Sequence, residues 1–456
     1  MPRFYSTNRT LPGGFRASVP FKDALFMGQA PDGGLFMPET IPAFAPETLA
    51  SLKGRPFKDT AYEVMKTFLA DEIDHVALRA MVDDAYDFDV PLEFAAPGTW
   101  LMRLDRGPTA SFKDFAALML ARLMAHFRPP GRPLTVLVAT SGDTGSAVGE
   151  AFKGIPGARV VILYPKLEVS PAQKRQLDTI GGNVQAIEVE GKFDDCQEMV
   201  KTAFADPELT ELNLTSANSI NFGRILPQMA YFAHACAQLA DPGEEVVFSV
   251  PSGNFGNAFA CELARRMGLP VRKLILATNG NDAFPRFLES GVYEKVSPSK
   301  NCLSNAMNVG HASNLARFFD LYGGTVNKSG TVHKVPELGL MRERLWSISV
   351  DDAETRATMK RAHGEHATLL EPHGAVGWKG LEAYRETTGD ASLAIVLETA
   401  HPAKFPEAVR ETLGIEPELP ESLARLEGRQ GDAESLGSEY DALKRYLMRH
   451  YAHARI

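Results

Sequence analysis

Six short runs of Val, Ile, Leu and Ala punctuate the chain: LTVLVAT (134–140), RVVILYP (159–165), VQAIEVEG (184–191), EVVFSVP (245–251), RKLILAT (272–278) and SLAIVLET (392–399). Most are continuously apolar, not alternating, so they predict strands buried on both faces. Helical patterns stand between them. SGDTGSAVGEAF follows the first run, PAQKRQLDTIGG precedes the third, SGNFGNAFACELARRMG follows the fourth and AHPAKFPEAVRETLG follows the sixth. This alternation predicts an α/β fold with two open, mostly parallel sheets and flanking helices. Such sheets bind ligands beyond the carboxyl ends of their strands.

The remainder is patterned differently. Residues 1–95 begin with turns, PGG and PDGGLFMPE, and then become helical. Residues 280–345 carry weaker strand signal and many Asn, Ser and Gly, as an insertion beside the core would. Residues 416–456 are charged, with Leu436, Tyr440, Leu443, Leu447 and Tyr451 at the spacing of an amphipathic helix. The expected organisation is an N-terminal region (1–95), a smaller subdomain (96–215), a larger subdomain (216–415) carrying the insertion, and a helical tail (416–456).

Composition narrows the function. The chain of 456 residues has a net charge of −9, which argues against nucleic acid or an acidic membrane surface as partner. No apolar run approaches the roughly 20 residues of a membrane span. MPRFYSTNRT at the start lacks the apolar centre of a secretory signal. The four cysteines form no CxxC pair, which fits neither a disulfide framework nor a zinc knuckle and suits a reducing compartment. A cytoplasmic protein is expected.

Three strand-end loops offer chemistry. In SGNFGNAFA (252–260), Gly253 and Gly256 are expected to take positive φ and allow close backbone approach, in a turn where successive main-chain N–H groups and a helix N-terminus form an anion nest. The loop lacks both the GxxxxGK[ST] and the GxGxxG pattern. ATSGDTGSA (139–147) repeats the arrangement and adds the hydroxyls of Thr140, Ser141, Thr144 and Ser146, with Asp143 or Thr144 as the expected helix cap. ETAHPAKFPEAV (398–409) brings Thr399 and His401 to a third strand end. Each loop could also serve chain geometry alone.

GPTASFKDFAA (107–117) places Lys113 in the first turn of a helix with Ser111 as the expected cap. A cation is unwelcome at that end of a helix, and Phe112 and Phe115 imply burial, which is costly for an ammonium. Held in a cleft beside anion-binding loops, such a lysine becomes a nucleophile. A lysine nucleophile together with a phosphate nest is the equipment of pyridoxal 5′-phosphate (PLP) chemistry. The pairing with SGNFGN carries this reading; Lys113 alone would be an ordinary surface lysine.

These residues resemble a known family. GPTASFKDFAA resembles the PLP-lysine motif of threonine synthases. ATSGDTGSA, PSGNFGNAFA, INFGRILPQMAYF (220–232) and ETAHPAKFPEAV resemble further motifs of that family in the same order, and PDGGLFMPE (31–39) its N-terminal motif. The resemblance runs from about residue 20 to 409 and is nearest to the longer branch of the family, found in many bacteria and fungi. It implies a tryptophan-synthase-β-like fold, fold type II among PLP enzymes. It implies conversion of O-phospho-L-homoserine and water into L-threonine and phosphate, the last step of threonine biosynthesis, by γ-elimination and then β-addition of water.

The resemblance also implies roles. Lys113 would carry PLP and move protons. Gly253, Asn254, Phe255, Gly256 and Asn257 would hold the cofactor phosphate, and Thr399 would hydrogen-bond its pyridine nitrogen. Ser141, Gly142, Asp143 and Thr144 would face the substrate end. Lys174 and Arg224 are candidates for the substrate's phosphate; either could be a structural cation, although the segment around Arg224 is otherwise apolar. No metal is expected, because His363, Glu365, His366, Glu371 and His373 in HGEHATLLEPHG do not follow HExxH spacing. Two departures stand out. LSNAMN (303–308) has Asn305 and Asn308 where the family often has Pro and Asp, and EPHGA (371–375) replaces a frequent DPHTA. A serine/threonine dehydratase of the same fold and a non-catalytic PLP-binding paralogue are the competing readings, and monomer or homodimer is left open.

Overall fold

The structure, a computed structural model, describes residues 2–129 and 131–451. All six apolar runs form strands, three in each of two sheets. The larger sheet has the order Leu345–Ser349, Val271–Thr278, Val246–Pro251, Ala394–Glu398, Thr99–Arg103, Leu92–Ala96, parallel except for the last pair. The smaller has the order Ala433–Gly437, Val184–Glu190, Ala158–Pro165, Leu134–Ala139, Leu214–Thr215, parallel throughout. Every residue of Leu134–Ala139, Val246–Pro251 and Ala394–Glu398 is buried. That is why these segments read as unbroken apolar runs: helices cover both faces.

The strands that the apolar pattern does not reveal sit at or next to sheet edges. The tail is the clearest correction. Within 416–456, expected to be helical, Ala433–Gly437 is a strand beside Val184–Glu190, and Leu436 belongs to it. The amphipathic helix occupies Tyr440–Tyr451, and its Leu443 and Leu447 are fully buried in one core with Val161, Ile187 and Cys196. The first residues likewise hold an unexpected antiparallel sheet of Val19–Pro20, Arg3–Ser6 and Phe36–Pro38.

The N-terminal region is not a separate body. Phe4, Phe21 and Phe57 share one core with Phe115, Phe222, Phe232 and Phe248 from the two sheet-bearing halves. The Phe57 ring lies 5.2 Å from that of Phe115, edge to face, a packing that favours aromatic pairs. This core supports the helix that begins at Lys113. The carboxyl ends of the strands ending at Arg103, Ala139, Pro251 and Glu398 all feed the loops described next.

Candidate active site

Lys113 opens the helix Lys113–Phe127. Ser111 does not cap it. Phe112 takes the cap position with a helical backbone, and the Ser111 hydroxyl is buried without a partner among the described residues. Asp114 closes the turn instead, accepting from the Thr109 N–H at 2.9 Å and the Thr109 hydroxyl at 2.6 Å. A Cβ at Gly107 would overlap that carboxylate, so the tight turn requires glycine. Burial pushes the Asp114 carboxyl up to about 6. Two main-chain bonds, Phe112 N–H to the Thr399 carbonyl (2.9 Å) and His401 N–H to the Ala110 carbonyl (3.0 Å), stitch this loop to the one after Ala394–Glu398. Lys113 and Thr399 are thereby brought together. The Thr399 hydroxyl bonds to no protein group among the described residues. His401 serves the fold: its Nδ1 accepts from Ala403 N–H at 3.2 Å, and burial holds the imidazole down at about 4.

The helix Asp143–Phe152 follows Leu134–Ala139. Neither Asp143 nor Thr144 caps it. The Thr140 hydroxyl oxygen does so, accepting from Gly142 N–H at 3.0 Å and Gly145 N–H at 2.8 Å. Gly142 has φ 129°, and a Cβ there would collide with the Gln173 amide. Released from capping, Asp143 turns towards cations. Its Oδ1 accepts from Lys404 Nζ and Gln173 Nε2, each at 2.9 Å, and its Oδ2 lies 3.6 Å from Lys113 Nζ. Burial alone would raise this carboxyl, but Lys404 and Lys113 outweigh it and hold Asp143 well below the usual carboxylate range. Burial, helped by Lys404 and Arg224, lowers Lys113 below 10.5 despite the pull of Asp143. The Lys113 side chain is 14% exposed and its Nζ sits 4.6 Å from the Phe112 ring centre. The Ser141 and Thr144 hydroxyls carry no protein hydrogen bond among the described residues, whereas Ser146 Oγ donates to the Gly142 carbonyl at 3.2 Å.

The third loop tests whether a cofactor phosphate fits. The positive φ of this loop falls on Phe255 (60°), at the start of the helix Gly256–Arg266, and not on Gly253 or Gly256; the Phe255 ring lies 5.0 Å from Phe284 of the insertion. The N–H groups from Gly253 to Asn257 donate to no protein acceptor among the described residues. Asn257 Nδ2 is buried and unpartnered, while its Oδ1 accepts from Tyr231 at 2.6 Å. Unmatched buried donors are costly and rare, so an anion is what this loop lacks. The Asn254 side chain belongs to the scaffold: it donates to Ser219 Oγ (2.7 Å) and accepts from Ser313 N–H (2.6 Å), leaving its main-chain N–H for a ligand. PLP fits: an amine at Lys113, a hydroxyl at Thr399 and a phosphate nest at 253–257.

The two expected phosphate ligands part company. Lys174 is paired with Glu188, sits 3.3 Å from Asp178 and donates to Tyr164 Oη at 2.9 Å, so its charge is already matched. Arg224 is buried, donates to the Ala217 carbonyl at 2.7 Å, and leaves Nε without a partner among the described residues. Burial brings its guanidinium down to about 10. The departures from family pattern have local causes. A Cβ at Gly374 would overlap the Glu398 carboxylate, so a larger residue there requires that side chain to move, and Glu371 caps the helix Pro372–Thr388 through His373 and Gly374 N–H. Asn308 Oδ1 accepts from Asn279 Nδ2 (2.9 Å), and Asn305 Nδ2 reaches Gln173 Oε1 (3.3 Å), joining the insertion to the smaller half. Among the described residues no His, Cys, Asp and Glu side chains gather as metal ligands.

Sequence reasoning missed Lys404 and Gln173. Lys404 had a signal, a lone lysine between Ala and Phe in the ETAHPAKF loop. Gln173 had one too, the Ser170–Gln173 capping box that starts the helix Pro171–Asp178.

Three family models match the chain: a pyridoxal-phosphate dependent enzyme at residues 90–398, a threonine synthase N terminus at 3–86 and a threonine synthase C-terminal segment at 374–447. Similar proteins include the threonine synthase of Pseudomonas aeruginosa, 38% identical with 98% of each chain covered, and that of Escherichia coli, 37% identical with 95% of this chain and 97% of that one covered. The crystal structure of PLP-bound threonine synthase from Brucella melitensis is similar throughout, with a TM-score of 0.89, 36% identity and all of both chains covered.

Proposed function

The chain belongs to the threonine synthase family, and from that premise we propose that the cleft around Lys113 converts O-phospho-L-homoserine and water into L-threonine and phosphate. The protein is a PLP-dependent enzyme of fold type II. The observation that supports this assignment of residues is a buried lysine amine, 3.6 Å from Asp143, in a fold whose glycine loop leaves five successive N–H groups unmatched among the described residues.

Bound PLP supplies an electron-poor ring that stabilises negative charge on the substrate's carbons. The residues of the chain do the rest. Lys113 is the amine that would hold the cofactor, and as a free amine it would carry protons to and from the substrate's carbons. The N–H groups of Gly253, Asn254, Phe255, Gly256 and Asn257, with Asn257 Nδ2, hold the cofactor phosphate. Thr399 offers a neutral hydroxyl to the ring nitrogen, which holds no ring proton as a carboxylate would. Ser141, Gly142, Asp143 and Thr144 border the substrate, and Arg224, with no carboxylate partner among the described residues, takes its phosphate. The Asn305–Gln173 hydrogen bond ties the insertion to the smaller half beside Asp143.

A dehydratase of the same fold needs no second anion site, so the unmatched Arg224 and the match of the N-terminal family model favour the synthase. The non-catalytic alternative is disfavoured by the intact Lys113. The free thiols suit the cytoplasm. The test measures phosphate and threonine released from phosphohomoserine together, with borohydride capture of PLP mapped to its peptide. Equal amounts of both products and a label on Lys113 are expected. A label elsewhere, or phosphate without threonine, would overturn the reading.

A further inference from the structure

Lys404 lies in the short turn Pro402–Lys404, and its side chain is fully buried. Its ammonium has two partners, Asp143 Oδ1 at 2.9 Å and the Thr109 carbonyl at 2.9 Å. Taking an ammonium out of water costs several kcal/mol unless its partners are well placed. Here the partners are the acid beside Lys113 and the turn that leads into Lys113.

We propose that Lys404 is a positioning residue for Lys113: it takes up one oxygen of the Asp143 carboxylate, so that this carboxylate orients the Lys113 amine without holding it as an ammonium. The proposal rests on the reading of Lys113 as the amine that captures PLP. Asp143 divides its two oxygens between two lysines. Oδ1 faces Lys404 and also accepts from Gln173, while Oδ2 faces Lys113 at the longer distance of 3.6 Å. Coulomb attraction falls with distance, so the nearer pair claims the larger share. Without Lys404, the carboxylate would face Lys113 alone and stabilise its charged form, which is no nucleophile.

The groups that act on Lys113 come from several elements. Asp143 approaches from the helix Asp143–Phe152, Lys404 from the turn after Thr399, and Arg224 from the turn Phe222–Arg224. Asp114, on the helix of Lys113 itself, directs its carboxylate to Thr109. Asp143 is therefore the anion that Lys113 meets directly, and Lys404 and Arg224 make the surroundings hostile to a third cation. The second bond of Lys404 fixes position: the Thr109 carbonyl that it holds also accepts from Gln176 Nε2 at 3.0 Å.

The test uses the full-length protein stripped of PLP, with acetic anhydride as a probe of free amines. Acetylation at residue 113 is followed by mass spectrometry across pH, and uptake of added PLP is followed by absorbance. Lys404→Met is expected to move the acetylation midpoint upward by about one pH unit, roughly tenfold less free amine near neutrality. Asp143→Asn is expected to move it downward, and adding Lys404→Met to Asp143→Asn to leave it there. A folded Lys404→Met protein with an unmoved midpoint overturns the proposal. If that variant does not fold, Lys404→Gln, which keeps a donor for Asp143 and the Thr109 carbonyl without the charge, is measured in its place, alone and with Asp143→Asn. A rise in midpoint on replacing Lys404 that is lost when Asp143→Asn is already present supports the proposal, and an equal rise in both backgrounds overturns it, since Lys404 would then act on Lys113 directly. Wild-type protein that acetylates at Lys113 but takes up no PLP overturns the cofactor assignment, while the midpoints still report on Lys404.

Discussion

Lys113 is pulled two ways, and the balance has a measurable consequence. Burial, Lys404 and Arg224 disfavour its charge, Asp143 favours it, and the first three prevail. Only the neutral amine attacks an aldehyde, so PLP capture by the stripped protein should accelerate as pH rises and level off at a midpoint below 10.5. Stopped-flow absorbance across pH checks this, and a midpoint at or above that of free lysine would contradict it. Arg224→Ala should raise KM for phosphohomoserine by about 10- to 100-fold, the equivalent of roughly 1.5–3 kcal/mol for a charged hydrogen bond. Initial rates against substrate concentration show whether kcat is spared. The placement of Lys113, Thr399 and the glycine loop at strand ends and a helix start was legible because each is written in adjacent residues. Lys174 was misread because the acids that match it, Asp178 and Glu188, come from its own helix and a neighbouring strand. Lys404 was overlooked for the converse reason: its significance appears only when Asp143, far earlier in the chain, folds against it.

At the scale of elements, the strand-end loops depend on what packs behind them. Gly253 shows this best, since a Cβ there would sit 2.7 Å from Met307 Cα and 2.9 Å from the Ala306 carbonyl. Both neighbours are main chain of the insertion and cannot swing aside as a flexible side chain would. Gly253→Ala should therefore shift the nest and weaken PLP binding about tenfold or more, on the order of the 1.4 kcal/mol that one displaced hydrogen bond represents. Equilibrium titration of stripped protein with PLP measures it. The same scale explains what the apolar pattern could show. Buried parallel strands are apolar on both faces and declare themselves. Ala433–Gly437, AESLG, has no β-branched residue and half-exposed faces, so nothing in its composition says strand. Its pairing comes from the neighbour it finds, not from its own preference. The caps misled in a similar way, because Thr140 and Asp114 perform by contact what Asp143 and Ser111 offered by position.

For the whole molecule, the shared core means that the N-terminal region and the catalytic halves stand or fall together. Phe57 touches Tyr86, Phe115 and His234 with its ring, each from a different segment. Phe57→Ala should cost about 3–5 kcal/mol, lowering Tm in a single transition followed equally by circular dichroism and by loss of bound PLP. Two separate transitions would show the region to be autonomous. The sheet order carries one more consequence, for synthesis. The neighbour that completes the Val184–Glu190 edge is Ala433–Gly437, a strand that leaves the ribosome long after it. Until then the nascent protein presents open backbone donors and acceptors along that edge, the kind of surface that recruits stray strands. Chains that stop short of residue 433 should accordingly clump or be held by chaperones, so that a stop codon there would act as a quality-control signal.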